Sequence, residues 1–295
     1  MKRPLLAVLG LASATFAHGG VLENIKARGE IRMGVRADAE PLSYVPAGTE
    51  VAQGFAVDLC RAVLRDLEQR KLIVPGTPIK YVPLTNAERF KAVTERKVDM
   101  ECADTTNNRE RRDKVGVAFT IPHYYAGVRT LVAKKSGIGK LEDLRGKTVL
   151  VTKGTTTNKL FEERNASLQL NARTLECSAP SECFKDLAAG KGDAYMMDDI
   201  QLFALRAKAG NPADWEVVGK LMSIEPLAIM LPKDDAVWKG HFDGVLRQMI
   251  HDRSFHTAYT KWFERPIPPH QINYNIPMNY LLKDSLKFPT DQVGD

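Results

Sequence analysis

The sequence predicts an α/β fold divided into two compact units. Three observations carry that expectation. The chain has 295 residues, enough for two cores of ordinary size. Its 44% apolar and 26% charged residues are the balance of a globular protein rather than a disordered or collagen-like one. Short β-branched runs alternate with helical patterns along nearly the whole length, as in repeated strand–helix–strand units with a largely parallel sheet.

The N-terminus comes first. Lys2 and Arg3 open an otherwise uncharged apolar stretch, Leu5–Ala17, which closes on the small residues of Ala14-Thr15-Phe16-Ala17. That is the layout of a secretory signal peptide over residues 1–17. Its removal takes two positive charges and no acid, so the formal charge falls from +6 to +4. The first cysteine is Cys60, far from the cleavage point, so the expected product is exported, soluble and unanchored. No apolar run approaches the roughly 20 residues of a spanning helix. No dense Lys/Arg block suggests a nucleic-acid partner, and Arg109-Glu110-Arg111-Arg112 reads as a solvated helix face.

Glu30–Val35 reads as the first strand, followed by a loop containing Pro41 and Pro46. Phe55, Leu59, Ala62, Val63 and Leu67 have helical spacing and predict a helix over Phe55–Glu68. Ile79–Leu84 reads as a strand, Asn86–Glu95 as a helix, and Val98–Cys102 as a strand leading into a polar loop, Asp104–Asn108. A second series follows: strand Val128–Ala133, helical turn Leu141–Leu144, strand Thr148–Thr152, turn Lys153–Thr157 and a helix from Asn158. Cys183–Ala189 reads as a helix, Ala194–Met197 as a strand and Ile200–Ala209 as a helix. Trp215–Val218 and Leu227–Leu231 read as strands, and Trp238–Trp262 as helical. Five prolines, Pro266, Pro268, Pro269, Pro277 and Pro289, make residues 266–295 an extended wrap.

Polar clusters follow the apolar strands at Asp104–Thr106, Thr152–Thr157 and Asp198, where loops beyond strand ends aim groups at a ligand. Cys177 and Cys183 lie in a turn-rich stretch of an exported chain and predict a disulfide. Cys60 and Cys102 read as buried free thiols, with a Cys60–Cys102 bridge as the alternative. No CxxC pair and no HxxxH spacing occurs, so no metal site is expected. Gly146-Lys147-Thr148 lacks the P-loop's first glycine, since Leu141 stands there. Neither GxGxxG nor GxSxG is present, and no cofactor or catalytic motif is expected.

Thr105-Thr106-Asn107-Asn108-Arg109-Glu110-Arg111, preceded by Asp99-Met100-Glu101-Cys102, resembles the periplasmic amino-acid-binding proteins of ABC importers. Val151–Thr156, Tyr195–Asp199, Trp215–Gly219 and Trp262-Phe263 with Pro266–Pro269 match that family in the same order, over about Leu22–Pro289. The resemblance is strongest to the glutamate/aspartate-binding subgroup. It implies a type II periplasmic binding protein: two hinged lobes, each a mostly parallel sheet flanked by helices. Lobe 1 would comprise residues 20–125 and 225–265, and lobe 2 residues 126–224, with crossings near His123–Val128 and Ser223–Leu227. A monomer delivering its ligand to a membrane permease is expected.

By the same resemblance, Arg36 and Arg89 would meet the ligand's side-chain carboxylate, and Arg111 with Thr106 its α-carboxylate. Asp198 would hold the α-ammonium, and Thr152 and Thr155 would add donors. Guanidinium forks suit carboxylates because they bind bidentately and stay charged. Three positions depart from the subgroup: Asn86 and Asp104 replace serines, and a ligand-facing histidine aligns near Pro180 or Ser181. Arg36, Arg89, Arg111 and Asp198 sum to +2, and Asp104 brings the cleft to +1. Asp104 would either join Asp198 around the ammonium, which suits L-glutamate or L-aspartate, or pair with Arg89, which suits glutamine, asparagine or another polar amino acid. A rival class is an enzyme resembling cyclohexadienyl or arogenate dehydratases, with Asp104 or Glu101 as general acid.

Overall fold

A computed structural model describes residues 19–294; the segment read as a signal peptide, residues 1–17, lies outside the described residues. In chain order the elements are α1 (Val21–Arg28), β1 (Ile31–Val35), β2 (Asp38–Ala39), β3 (Ser43–Tyr44), α2 (Phe55–Gln69), β4 (Ile79–Pro83), α3 (Arg89–Thr94), β5 (Met100–Thr106), β6 (Val117–Phe119) and β7 (Tyr124–Ala126). Then come β8 (Val128–Ala133), β9 (Thr148–Thr152), α4 (Thr156–Ser167), β10 (Arg173–Cys177), α5 (Pro180–Ala188), β11 (Ala194–Asp198), α6 (Asp199–Ala207) and β12 (Trp215–Val218). The chain ends with β13 (Glu225–Pro232), α7 (Ala236–His251), α8 (Ser254–Phe263) and α9 (Tyr280–Ser285).

The strands form two main sheets. One has the order β4-β1-β5-β13-β6, with β7 also paired to β13; the other has the order β10-β9-β11-β8-β12. Both are mixed rather than mostly parallel. β1 runs parallel to β4 and β5, and β9 to β10 and β11. β13 and β8 pair antiparallel with all their neighbours, because each enters its sheet directly from the other unit without a crossover helix.

The chain passes between the sheets twice, through Gly127 and through residues 219–224. The two passages touch: a Cβ on Gly127 would sit 2.4 Å from Leu221 Cδ2 and 3.0 Å from the Ser223 carbonyl. A side chain there would have to displace the exposed Leu221 side chain and crowd the Ser223 carbonyl.

In the first unit α2 lies on the sheet with Phe55, Leu59, Val63 and Leu67 buried. α7 and α8 cover it, and Phe55 meets Phe255, Tyr259 and Phe263 edge-on at 5.3–5.7 Å. The single helical stretch expected over Trp238–Trp262 is thus two helices, broken at Arg253, whose φ is +69°. The C-terminal wrap also contains a helix, α9, begun by Asn279 Oδ1 accepting from the Leu282 backbone N–H. Polar Arg173–Cys177, not recognised in the sequence, is the edge strand β10.

Both cysteine pairs are oxidised. Cys177–Cys183 forms as expected, whereas the reading of Cys60 and Cys102 as free thiols is corrected: they are joined, tying α2 to β5. The apolar pattern that made them look like core residues was correct; both are buried. Burial alone says nothing of a neighbour 42 residues away.

Candidate functional site

β5 is the centre of the site. All seven of its residues are buried, and it continues through Asp104, Thr105 and Thr106, which the sequence reading placed in a loop. Its pairing with β13 slips from Thr105 opposite Ala228 to Glu101 opposite Met230. The bulge breaks the alternation of faces. Glu101 and Asp104, three positions apart, consequently both approach Arg36.

Arg36 follows β1 and is fully occupied. Its Nε donates to Asp104 Oδ1 at 2.9 Å, Nη1 to the Leu84 carbonyl at 2.6 Å, and Nη2 to Asn86 Oδ1. Glu101 Oε1 lies 3.7 Å from Nη2. Burial pushes the Asp104 carboxyl up, but the Arg36 and Arg89 charges and the Arg36 hydrogen bond outweigh it and hold it below the usual carboxylate range. Asp104 therefore neutralises Arg36, a third arrangement beyond the two weighed in the sequence.

Arg89 opens α3 and is buried. Nη1 reaches Asn86 Oδ1 at 3.3 Å and Nη2 the Gly154 carbonyl at 3.4 Å, while Nε has no hydrogen-bond partner among the described residues. Burial, then repulsion from Arg36 and Arg111, lowers its pKa to about 9. Arg89 and Arg111 lie over the Phe90 ring at 4.9 and 5.0 Å. Arg111 begins a π-helical turn, Arg111–Val115, and its Nη1 donates to the Thr106 carbonyl at 2.7 Å. Burial also lowers the Arg111 pKa, against the pull of Glu225 and Asp198.

The second unit supplies Asp198 at the end of β11. Its Oδ1 is buried without a hydrogen-bond partner among the described residues. Burial first, then the charges of Glu225, Asp104 and Asp199, push its carboxyl well above the ordinary range, and Arg111 offsets only part of this. Thr152 and Thr155, expected to add hydroxyl or backbone donors, use their hydroxyls inside their own unit. Thr152 Oγ1 lies 2.8 Å from Tyr195 Oη and 3.3 Å from Cys183 Sγ. Thr155 Oγ1 donates to the Thr152 carbonyl at 2.7 Å and accepts from Asn158 N–H at 3.2 Å, capping α4. Where the subgroup's histidine would align, Pro180 opens α5 and the Ser181 N–H donates to Asp38 Oδ2 at 3.0 Å.

Two further residues join the site without a motif to mark them. Gln201, in α6, crosses the cleft and donates from Nε2 to Asp104 Oδ2. Glu225, at the start of β13, accepts from Ser223 Oγ at 2.7 Å and from Thr156 Oγ1 at 3.0 Å. The units also meet through Lys208–Glu40 and Lys159–Glu110 ion pairs, and through Gly154, whose Cβ position is 3.1 Å from the backbone of Asn86 and Ala87. The arrangement is closed. Beside it, a crevice of about 1290 Å³ is lined by Thr106, Tyr125, Thr156, Glu225 and the C-terminal residues Gln292–Gly294. No group of three His, Cys, Asp or Glu poised for a metal occurs among the described residues.

Such a cleft, with one half-site on each of two sheets, agrees with what this chain is similar to. The Glutamate/aspartate import solute-binding protein of Escherichia coli (strain K12) is 33% identical, over 99% of both chains. The L-glutamate/L-aspartate-binding protein of Pseudomonas aeruginosa is 34% identical over 94% of this chain and 90% of that protein. The crystal structure of Cysteine-Binding Protein from Campylobacter jejuni superposes with a TM-score of 0.71 at 28% identity, covering 82% of this chain and 92% of that one. Residues 31–265 match a family model as well, and the chain belongs to the bacterial extracellular solute-binding proteins, family 3.

Proposed function

We propose that this protein captures one amino acid between its lobes in the periplasm and delivers it to the permease of an ABC importer. The observation that carries the reading is a pair of opposite, incompletely partnered groups facing one cleft from different lobes. Among the described residues, Asp198 Oδ1 lacks a hydrogen-bond partner on one side, and Arg89 Nε lacks one on the other. An amino acid with a polar side chain satisfies both, through its ammonium at Asp198 and its side chain at Arg89, and only the closed state brings both to it. Asp198 takes the ammonium and Arg111, beside Thr106, the α-carboxylate. Arg89 and Asn86 face the side chain, with the Thr152–Thr155 turn contributing backbone rather than hydroxyls. The named relatives are binding and import proteins, which supports a binder over the dehydratase alternative.

L-Glutamate or L-aspartate is supported by the names of the two sequence relatives and by the buried Arg89 cation. Glutamine or asparagine is favoured by a different observation: Arg36, the second cation expected to call for a carboxylate, is already paired with Asp104. A thermal-shift panel of the common amino acids tests both. A ligand at 100 times its Kd adds about 2.7 kcal/mol of stability and raises Tm. If no amino acid raises it, the reading is wrong.

A further inference from the structure

Gln201 is a cleft residue whose side-chain orientation is dictated by a neighbour of fixed hydrogen-bonding sense. It is 2% exposed, and its Nε2 donates to Asp104 Oδ2. An ionised carboxylate only accepts, and the other Asp104 oxygen is engaged by Arg36 Nε at 2.9 Å. The amide therefore cannot be reversed, and Oε1 faces away from Asp104. That oxygen is buried and has no hydrogen-bond partner among the described residues. A buried acceptor left unpaired is unfavourable until a donor reaches it.

We propose that Gln201, oriented by Asp104, is a specificity-determining residue that requires an N–H donor on the ligand's side chain and so selects a carboxamide over a carboxylate. The inference rests on the amino-acid reading given above. Glutamine and asparagine carry the complementary pair: a carbonyl oxygen for Arg89 Nε and an amide N–H for Gln201 Oε1. Glutamate and aspartate carry two acceptors, one of which would face the Gln201 oxygen. They would also add a negative charge where Glu101, Asp104, Asp198 and Glu225 already outnumber Arg36, Arg89 and Arg111, all seven of them buried. A cationic side chain supplies donors but meets the Arg89 and Arg36 charges.

Titration calorimetry with L-glutamine, L-asparagine, L-glutamate and L-aspartate tests this on the purified protein and its Gln201→Leu and Gln201→Met variants. The wild type is expected to bind at least one amide tenfold or more tighter than the acid of the same length. Both variants are expected to reduce that ratio to threefold or less, with unchanged circular dichroism. If the leucine variant does not fold, the nearly isosteric methionine variant carries the comparison. Acids binding as tightly as amides in the wild type, or a ratio that survives in a folded variant, overturns the role of Gln201 and leaves amino-acid capture intact. Failure of every amino acid to bind overturns both.

Discussion

Replacing Asp198 by asparagine isolates the charge on which capture depends. The carboxyl is buried at the end of β11, with Oδ1 unpartnered and Glu225 and Asp104 nearby. Truncating one partner of a buried, hydrogen-bonded charge pair costs about 2–5 kcal/mol. Asparagine keeps an oxygen acceptor and leaves Glu225 in place, so the low end applies: about 2–3 kcal/mol, or roughly 30- to 150-fold in Kd. Calorimetry with the tightest ligand of the panel reads this directly, with circular dichroism to show an intact fold. A Kd within threefold of wild type would refute the assignment. The same variant has a second signature. Opening the lobes would draw Asp198 away from Asp104 and from the burial that raises its carboxyl in the closed cleft, so the closed empty cleft is expected to bind more protons than the open one. Closure without ligand is therefore favoured as pH falls toward the ordinary carboxylate value and disfavoured as pH rises. Small-angle scattering of the ligand-free protein should show compaction on acidification in the wild type and little in Asp198→Asn.

Two predictions concern the scaffold. The Cys60–Cys102 bridge spans 42 residues and Cys177–Cys183 six. The chain-entropy relation gives about 4 kcal/mol for the first and about 2 kcal/mol for the second. The double variant Cys60→Ala/Cys102→Ala should thus lower the urea midpoint more than Cys177→Ala/Cys183→Ala, and the opposite order would contradict this account. His123 is buried beside Phe55, with ring centroids 6.0 Å apart, and burial lowers its pKa from 6.5 to about 4. The unfolded chain then binds more protons in that window, so stability is complete above pH 6.5 and falls as pH drops toward 4, by about 3 kcal/mol. Urea titrations at pH 7 and 4.5 should show that loss in the wild type and less of it in a folded His123→Gln variant.

Much of the fold was legible because its strands are short β-branched runs between turn residues. Val128–Ala133, Thr148–Thr152 and Trp215–Val218 were read with the bounds they have. β10 was missed because an edge strand needs no apolar face: Arg-Thr-Leu-Glu-Cys has only Cys177 buried. β5 was cut short because Asp104, Thr105 and Thr106 look like a loop, and only pairing with β13 holds such polar residues in a strand. α3 begins at Arg89, not Asn86, because the Asn86 side chain accepts from Arg36 and Arg89 instead of starting a helix.

Site charge was the least legible property, for a physical reason that also bears on function. Counting the residues carried over by resemblance, with Asp104, gives +1. The fold adds Glu101, turned toward Arg36 by the β5 bulge, and Glu225, brought near Asp198 by the chain's second passage between units. With every group ionised the seven sum to −1. Glu225 belongs to no motif, Glu101 enters the sequence reading only as a general acid of the rival enzyme, and neither position in space follows from spacing. The consequence is that the cleft lacks a cation more than an anion. The ligand's ammonium supplies that cation at Asp198, where burial and Glu225 otherwise favour protonation. Closure is then driven by the part common to all amino acids, and discrimination among them is left to Arg89 and Gln201, whose Nε and Oε1 have no hydrogen-bond partner among the described residues.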